Sequence, residues 1–137
     1  MTSENIDIIE MSLLSEPPSP TNACILRGDT VWYSIVTSVD GNEAVRLDEA
    51  GRSFLEHQNA KNVMIDLSHA KQFSISAQNT WIEFLKYPKI SRTAIYGVST
   101  LSRLIATVII NASRMDNVKM FDTEADAYKW ICGAEVR

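Results

Sequence analysis

The chain has 137 residues, 45% of them apolar and 22% charged, with a formal net charge of −4. That length suits one domain with a sizeable core, and the composition is that of a globular protein. The 13 Lys and Arg residues are scattered, which argues against the concentrated basic face that nucleic acids and anionic membrane surfaces require.

Cys24 and Cys132 lie at opposite ends, with no Cys-x-x-Cys and no Cys/His cluster, so no metal is expected. The start Met1-Thr2-Ser3-Glu4-Asn5 lacks the basic and apolar parts of a secretory signal. No apolar run reaches membrane-spanning length. The expectation is a cytoplasmic protein with free thiols and no cofactor.

Residues 1–21 form an N-terminal arm. Ile6, Ile8, Met11, Leu13 and Leu14 supply its apolar character, and Pro17, Pro18 and Pro20 break it into extended linker geometry. A single domain is expected over 22–137. Cys24-Ile25-Leu26 predicts a short strand ended by Gly28-Asp29. The β-branched and aromatic run 31–39 predicts a second, with turn chemistry at Asp40-Gly41-Asn42. Together they suggest a hairpin or meander at the sheet edge.

A helix is predicted over 48–60, its inner face carrying Leu47, Ala50, Gly51, Phe54 and Leu55, with Asp48 as a candidate cap. Residues 63–67 read as a buried strand. A second helix over 76–86 turns Ala77, Trp81 and Leu85 inward and stops at Tyr87-Pro88. A strand over 93–98, a third helix over 100–113, a strand over 118–121 and a fourth helix over 124–132 follow. Thr123 and Asp126 have capping-box spacing. Strands alternating with helices imply right-handed crossovers, hence an α/β fold: a small mixed sheet with mostly parallel core strands and about four helices.

Three stretches carry a family likeness: Val63-Met64-Ile65-Asp66-Leu67-Ser68, Ala94-Ile95-Tyr96-Gly97-Val98-Ser99, and the ending from Val118 to Ile131. In this order they resemble a STAS-like domain of the SpoIIAA-like group, related to anti-sigma-factor antagonists. The resemblance covers about two-thirds of the chain and implies a protein-interaction, nucleotide- or lipid-sensing module. Regulatory members carry a phosphorylatable serine in an Asp-Ser-Ser-Gly-like turn. That turn falls here on Ser74-Ile75-Ser76-Ala77 and puts Ile75 at the modified position. Ser74 and Ser76 are candidate phosphosites only through a register shift.

Ligands of open α/β sheets sit at the carboxyl ends of parallel strands. That rim gathers Asp66, Ser68, His69, Ser74, Ser76, Ser99, Thr100, Ser102, Arg103 and Asp122. Hydroxyls near helix starts, with one arginine, suit an anion, but the same residue types also serve simply as caps. His69 follows a strand end, where a general base could stand. No nucleophile elbow or glycine-rich phosphate loop accompanies it, and His57 reads as surface.

On the third helix Leu101, Leu104, Ile105, Val108, Ile109 and Ala112 form a stripe that reads as core. Ala106 and Ile110 fall about 140° and 180° away, flanked by Arg103 and Thr107. That second apolar side is expected to meet a second subunit, the N-terminal arm or an acyl chain. Trp32, Tyr33, Trp81 and Phe84 read as core or as an extension of an apolar pocket.

The expected function is therefore a non-enzymatic regulatory or ligand-binding module for a protein partner or apolar small molecule, with a homodimer as a further arrangement. The alternative is an anion or nucleotide binder, or an enzyme, using Asp66, His69 and Arg103.

Overall fold

The structure, a computed structural model, describes residues 21–133. The arm over 1–20, with its apolar residues and prolines, lies outside the described residues, as do residues 134–137.

Strand β1 (Ala23–Arg27) turns through Gly28-Asp29 into β2 (Thr30–Ser34). Gly28 takes φ +60°, a conformation that costs glycine little. The pair is antiparallel, with Ala23 opposite Ser34. Helix α1 (Gly41–His57), β3 (Asn62–Asp66), α2 (Ile75–Leu85), β4 (Arg92–Tyr96), α3 (Thr100–Ser113), β5 (Val118–Phe121) and α4 (Glu124–Ile131) follow in chain order. The five strands lie in the order β1-β2-β3-β4-β5, and β2 through β5 are parallel. This is the mixed sheet with four helices expected from the sequence.

Alternation along the strands splits the core in two. Tyr33, Val63, Ile65 and Ile95 face the cluster that α1, α2 and α3 cover. Met64, Ala94 and Tyr96 face the smaller cluster under α4, with Trp32 packed at its margin. Tyr33, Trp81 and Phe84 meet edge to face, with ring centroids 4.9–5.6 Å apart. Such contacts contribute roughly 0.5–1.5 kcal/mol each beyond burial. These three aromatics are core, whereas Trp32 belongs to the opposite face.

Two boundaries differ from the sequence reading. Helix α1 begins at Gly41, well before residue 48, because Asp40 is its cap: the Asp40 carboxylate accepts the Glu43 N–H at 2.8 Å. Asp48, the expected cap, lies inside the helix and pairs with Arg52 at 2.8 Å. Strand β2 ends at Ser34, short of residue 39. Val39 instead bridges in parallel to Phe73, just before α2.

Helix α1 lies close on the sheet at Gly51. A Cβ there would overlap the Tyr33 hydroxyl, which donates to the Leu47 carbonyl at 2.8 Å. Gly51→Ala should therefore cost about 3 kcal/mol of stability in urea titration, the cost of overpacking a filled core. Tyr33→Phe, which leaves the volume but removes the bond, should cost about 1 kcal/mol.

Both cysteines are free thiols. Burial pushes the Cys24 thiol up from its ordinary value of 9.0 to about 11. The fold thus favours the neutral thiol. That stabilisation is whole below the unfolded value and is lost as pH rises from 9.0 through about 11. Unfolding midpoints measured across this interval should fall with pH, and should fall less steeply in Cys24→Ala.

Candidate functional site

The carboxyl end of the sheet holds the starts of α1, α2 and α3, and serines fix two of the three. Ser74 caps α2, its hydroxyl accepting the Ala77 N–H at 3.1 Å. This corrects the expectation that α2 begins at Ser76, which is the second helical residue. Ser76 is exposed and stands against the first residue of α1, where a Cβ on Gly41 would overlap its hydroxyl. Ser99 caps α3 in a reciprocal box. Its hydroxyl accepts the Ser102 N–H at 3.2 Å, and the Ser102 hydroxyl accepts the Ser99 N–H at 2.8 Å. Serine here fills the role that Glu or Gln usually has in a capping box.

Several polar groups at this end are engaged with one another. Asp66 Oδ1 accepts the backbone N–H of Ser68 at 2.8 Å and its hydroxyl at 2.5 Å. Gly97, at φ +76°, lies so close that a Cβ would meet Ser68. Among the described residues no hydrogen bond joins His69 to Asp66, and His69 is exposed. Arg103 reaches Asp122 at 3.5 Å in an exposed pair. Thr100 is exposed in the first turn of α3. Among the described residues no group of three His, Cys, Asp or Glu side chains could hold a metal ion. No described helix is long and apolar enough to cross a membrane.

Helix α3 is turned by about 100° from the sequence expectation, so that Ile109 is buried as expected while Leu101, Leu104 and Val108 are not. Its buried residues are Ser102, Ala106, Ile109 and Ser113, an arc centred about 110° from Leu101. Leu101, Leu104 and Val108, read as core, are 53%, 63% and 55% exposed. Ala106, read as surface, is 3% exposed, and Ile110 is half-buried. Thr107 is half-buried as well, its hydroxyl donating to the Arg103 carbonyl at 2.7 Å.

The physical reason lies in the serines. Ser102 is engaged in the cap, and Ser113 donates to the Ile110 carbonyl at 2.7 Å. Both hydroxyls can therefore be buried without loss. The small inner face lets α3 sit close to α2, and Leu101, Leu104 and Val108 point away. Ile75, in the first turn of α2 at the same end of the domain, is 72% exposed.

A gap of about 30 Å³ remains beneath α3, bounded by Ile65, Trp81, Ile95, Ser102, Ala106 and Ile109. The Trp81 indole N–H is buried without a hydrogen-bond partner. A broad groove of about 1080 Å³ opens at the other end of the strands, beside α4. Its cations are already engaged: Arg27 lies 4.6 Å over the Trp32 ring, Lys61 pairs with Asp29 at 3.5 Å, and Arg92 donates to the Trp130 carbonyl.

Neither a family model nor a curated protein matches the sequence. Solved structures do match. The unphosphorylated anti-sigma factor antagonist SpoIIAA superposes with a TM-score of 0.63 at 12% identity, over 82% of this chain and 99% of that one. An uncharacterised Shewanella loihica protein with a SpoIIAA-like fold gives 0.61 at 18% identity, over 85% and 100%. RsbS of Moorella thermoacetica, in a variant form, gives 0.63 at 11% identity, over 83% and 97%. The domain has the STAS-type, SpoIIAA-like fold. In this SpoIIAA-like domain the residue at the start of α2 is the exposed Ile75, so the turn presents an aliphatic side chain between two serines.

The orientation of α3 is testable by volume. Ala106→Leu adds more atoms than a 30 Å³ gap admits, and should destabilise the domain by about 1–3 kcal/mol. Leu104→Ala removes an outward side chain and should cost less than about 1 kcal/mol. Chemical denaturation of the two variants beside the parent decides it.

Proposed function

We propose that the chain is a non-enzymatic regulatory module that binds a protein partner through the outer face of α3. The observation that carries this reading is the outward stripe of Leu101, Leu104 and Val108, each more than half exposed, with Ile75 exposed at the same end of the domain. Aliphatics at i, i+3 and i+7 on one helix face suit an amphipathic partner segment laid alongside. The shared fold supports a regulatory role, since SpoIIAA is described as an anti-sigma factor antagonist, a protein that acts on another protein.

At α3, magnitudes favour a protein partner over an apolar small molecule. A pocket for an apolar small molecule is commonly about 300–1,000 Å³; the gap beneath α3 is about a tenth of the lower figure. The anion or enzyme reading needs free groups converging on one point. Asp66 is tied to Ser68, Arg103 faces Asp122, and Ser99 and Ser102 cap each other.

The test begins with a photo-reactive residue in place of Val108 in living cells, followed by mass spectrometry of the captured protein. Affinity for that purified protein should then fall at least about tenfold in Leu104→Glu, with the thermal midpoint unchanged. His69→Ala and Arg103→Ala should bind within about twofold of the parent. Equal binding by Leu104→Glu and the parent would remove the docking face from the mechanism.

A further inference from the structure

We propose that the groove at the amino end of the sheet, beside α4, binds a small aromatic acid. Its carboxylate or phosphate meets Arg27 and Arg92, and its ring lies against Trp32 and Tyr128. This site is at the opposite end of the sheet from the starts of α1, α2 and α3, and stands independently of the docking reading.

The sheet register builds the floor. Arg27 pairs with Thr30, Thr30 with Asn62, and Asn62 with Arg92, in one row across β1, β2, β3 and β4. Directly paired residues project from the same face of a sheet. Three strand spacings put the two arginine backbones about 14 Å apart, a span that two long side chains reaching inward close on one acid group. Between them Thr30 and Asn62 are 3% and 5% exposed. Buried polar side chains need partners. The Thr30 hydroxyl donates to Asp29 at 3.2 Å. The Asn62 amide has the Ile131 carbonyl, at 3.5 Å, the outer limit of a hydrogen bond. Asn62 therefore has donor capacity to spare on the floor of the groove.

Charge selects an anion. Arg27, Lys61 and Arg92 line the groove, and Asp29 and Glu124 line it with them. Both acids have partners: Asp29 pairs with Lys61 at 3.5 Å, and Glu124 accepts the Tyr96 hydroxyl at 3.3 Å. Among the described residues neither Arg27 nor Arg92 has a carboxylate partner. Arg27 rests over the Trp32 ring, and Arg92 donates to the Trp130 carbonyl. Those contacts hold each guanidinium in place and leave most of its N–H donors unused. Two arginines without counter-charge, on a chain whose net charge is −4, suit the forked recognition of a carboxylate or phosphate.

Aromatic surface selects the body of the ligand. Trp32 and Tyr128 line the same groove, with ring centroids 6.2 Å apart and planes tilted by 38°. Tyr128 is 50% exposed, and the Trp32 indole N–H is buried without a hydrogen-bond partner. Trp32 stands two residues along β2 from Thr30, about 7 Å from the arginine row. An acid group carried on a flat apolar ring spans that offset. The groove, at about 1080 Å³, is close to the upper end of the ~300–1,000 Å³ usual for small-molecule sites.

The test uses the full chain, isotope-labelled for nuclear magnetic resonance and titrated separately with naphthylacetate and naphthyl phosphate. The readout is the indole N–H signals of Trp32, Trp81 and Trp130. Trp81 lies in the core on the other face of the sheet and serves as the internal reference. The Trp32 signal should shift saturably with a Kd below about 1 mM, while Trp81 stays in place. The acid that binds more tightly identifies the preferred anionic group. Arg27→Gln, at an exposed position, and Arg92→Gln should each weaken binding at least about tenfold. Leu104→Glu should bind both probes as the parent does, so this site and the docking face fail or stand separately. The proposal is overturned by a Trp32 signal that neither probe moves, by movement of Trp81 in its place, or by parental affinity in Arg27→Gln. Binding of naphthol or of inorganic phosphate as tight as that of the aromatic acids would overturn it as well.

Discussion

Ser102 and Ser113 line the floor of α3 because each hydroxyl finds its hydrogen bond within the helix or at its cap. With Ala106 and Ile109 they make up its buried face, in which three of the four side chains are small. A helix with a thin face sits low on its neighbours, and its position then dictates which of its other side chains meet water. Leu101, Leu104 and Val108 are on the outside because the small residues are on the inside. The same three aliphatics turned inward would need room that the gap of about 30 Å³ does not give.

The rest of the scaffold sets the stage for that face. Parallel order from β2 to β5, with each crossover on one side, lines up α1, α2 and α3 with their amino ends at the carboxyl edge of the sheet. Ser74 and Ser99 cap two of those ends, and Asp40 the third. Tyr33 holds α1 down through the Leu47 carbonyl and fills the space that Gly51 leaves. What reaches solvent at that edge includes paired polar groups, Asp66 with Ser68 and Arg103 with Asp122, beside an aliphatic stripe. That combination is the one on which the proposed docking rests.

Much of the fold was legible in the residues. The run from Val63 to Ile65 is apolar on both faces because helices cover both sides of the sheet, and it reads as a buried strand. The bounds of α3 follow from a serine start and an apolar periodic body. The start of α1 did not, since Asp40-Gly41-Asn42 satisfies a turn and a helix cap equally, and only the Glu43 N–H decides between them. The facing of α3 was misread for a deeper reason. Periodicity counts serine as polar and leucine as core, whereas burial depends on whether the hydroxyl is satisfied and how close the neighbours lie. Six apolar residues outvoted two serines whose bonds cannot be seen in a sequence. The mutual pairing of rim residues, Asp66 with Ser68 and Arg103 with Asp122, depends on loop geometry that no spacing encodes.

Which side of α3 touches the sheet can be read directly from methyl and aromatic proton contacts in solution. A nuclear Overhauser spectrum should connect the Ala106 methyl to Trp81 and to Ile65 or Ile95, which surround the same gap. It should show no contact from Leu104 or Val108 to any β-strand residue. Cross-peaks joining Leu104 to Ile65 or Ile95, with Ala106 free of them, would mean that the helix is turned the other way and that its aliphatic stripe is simply core.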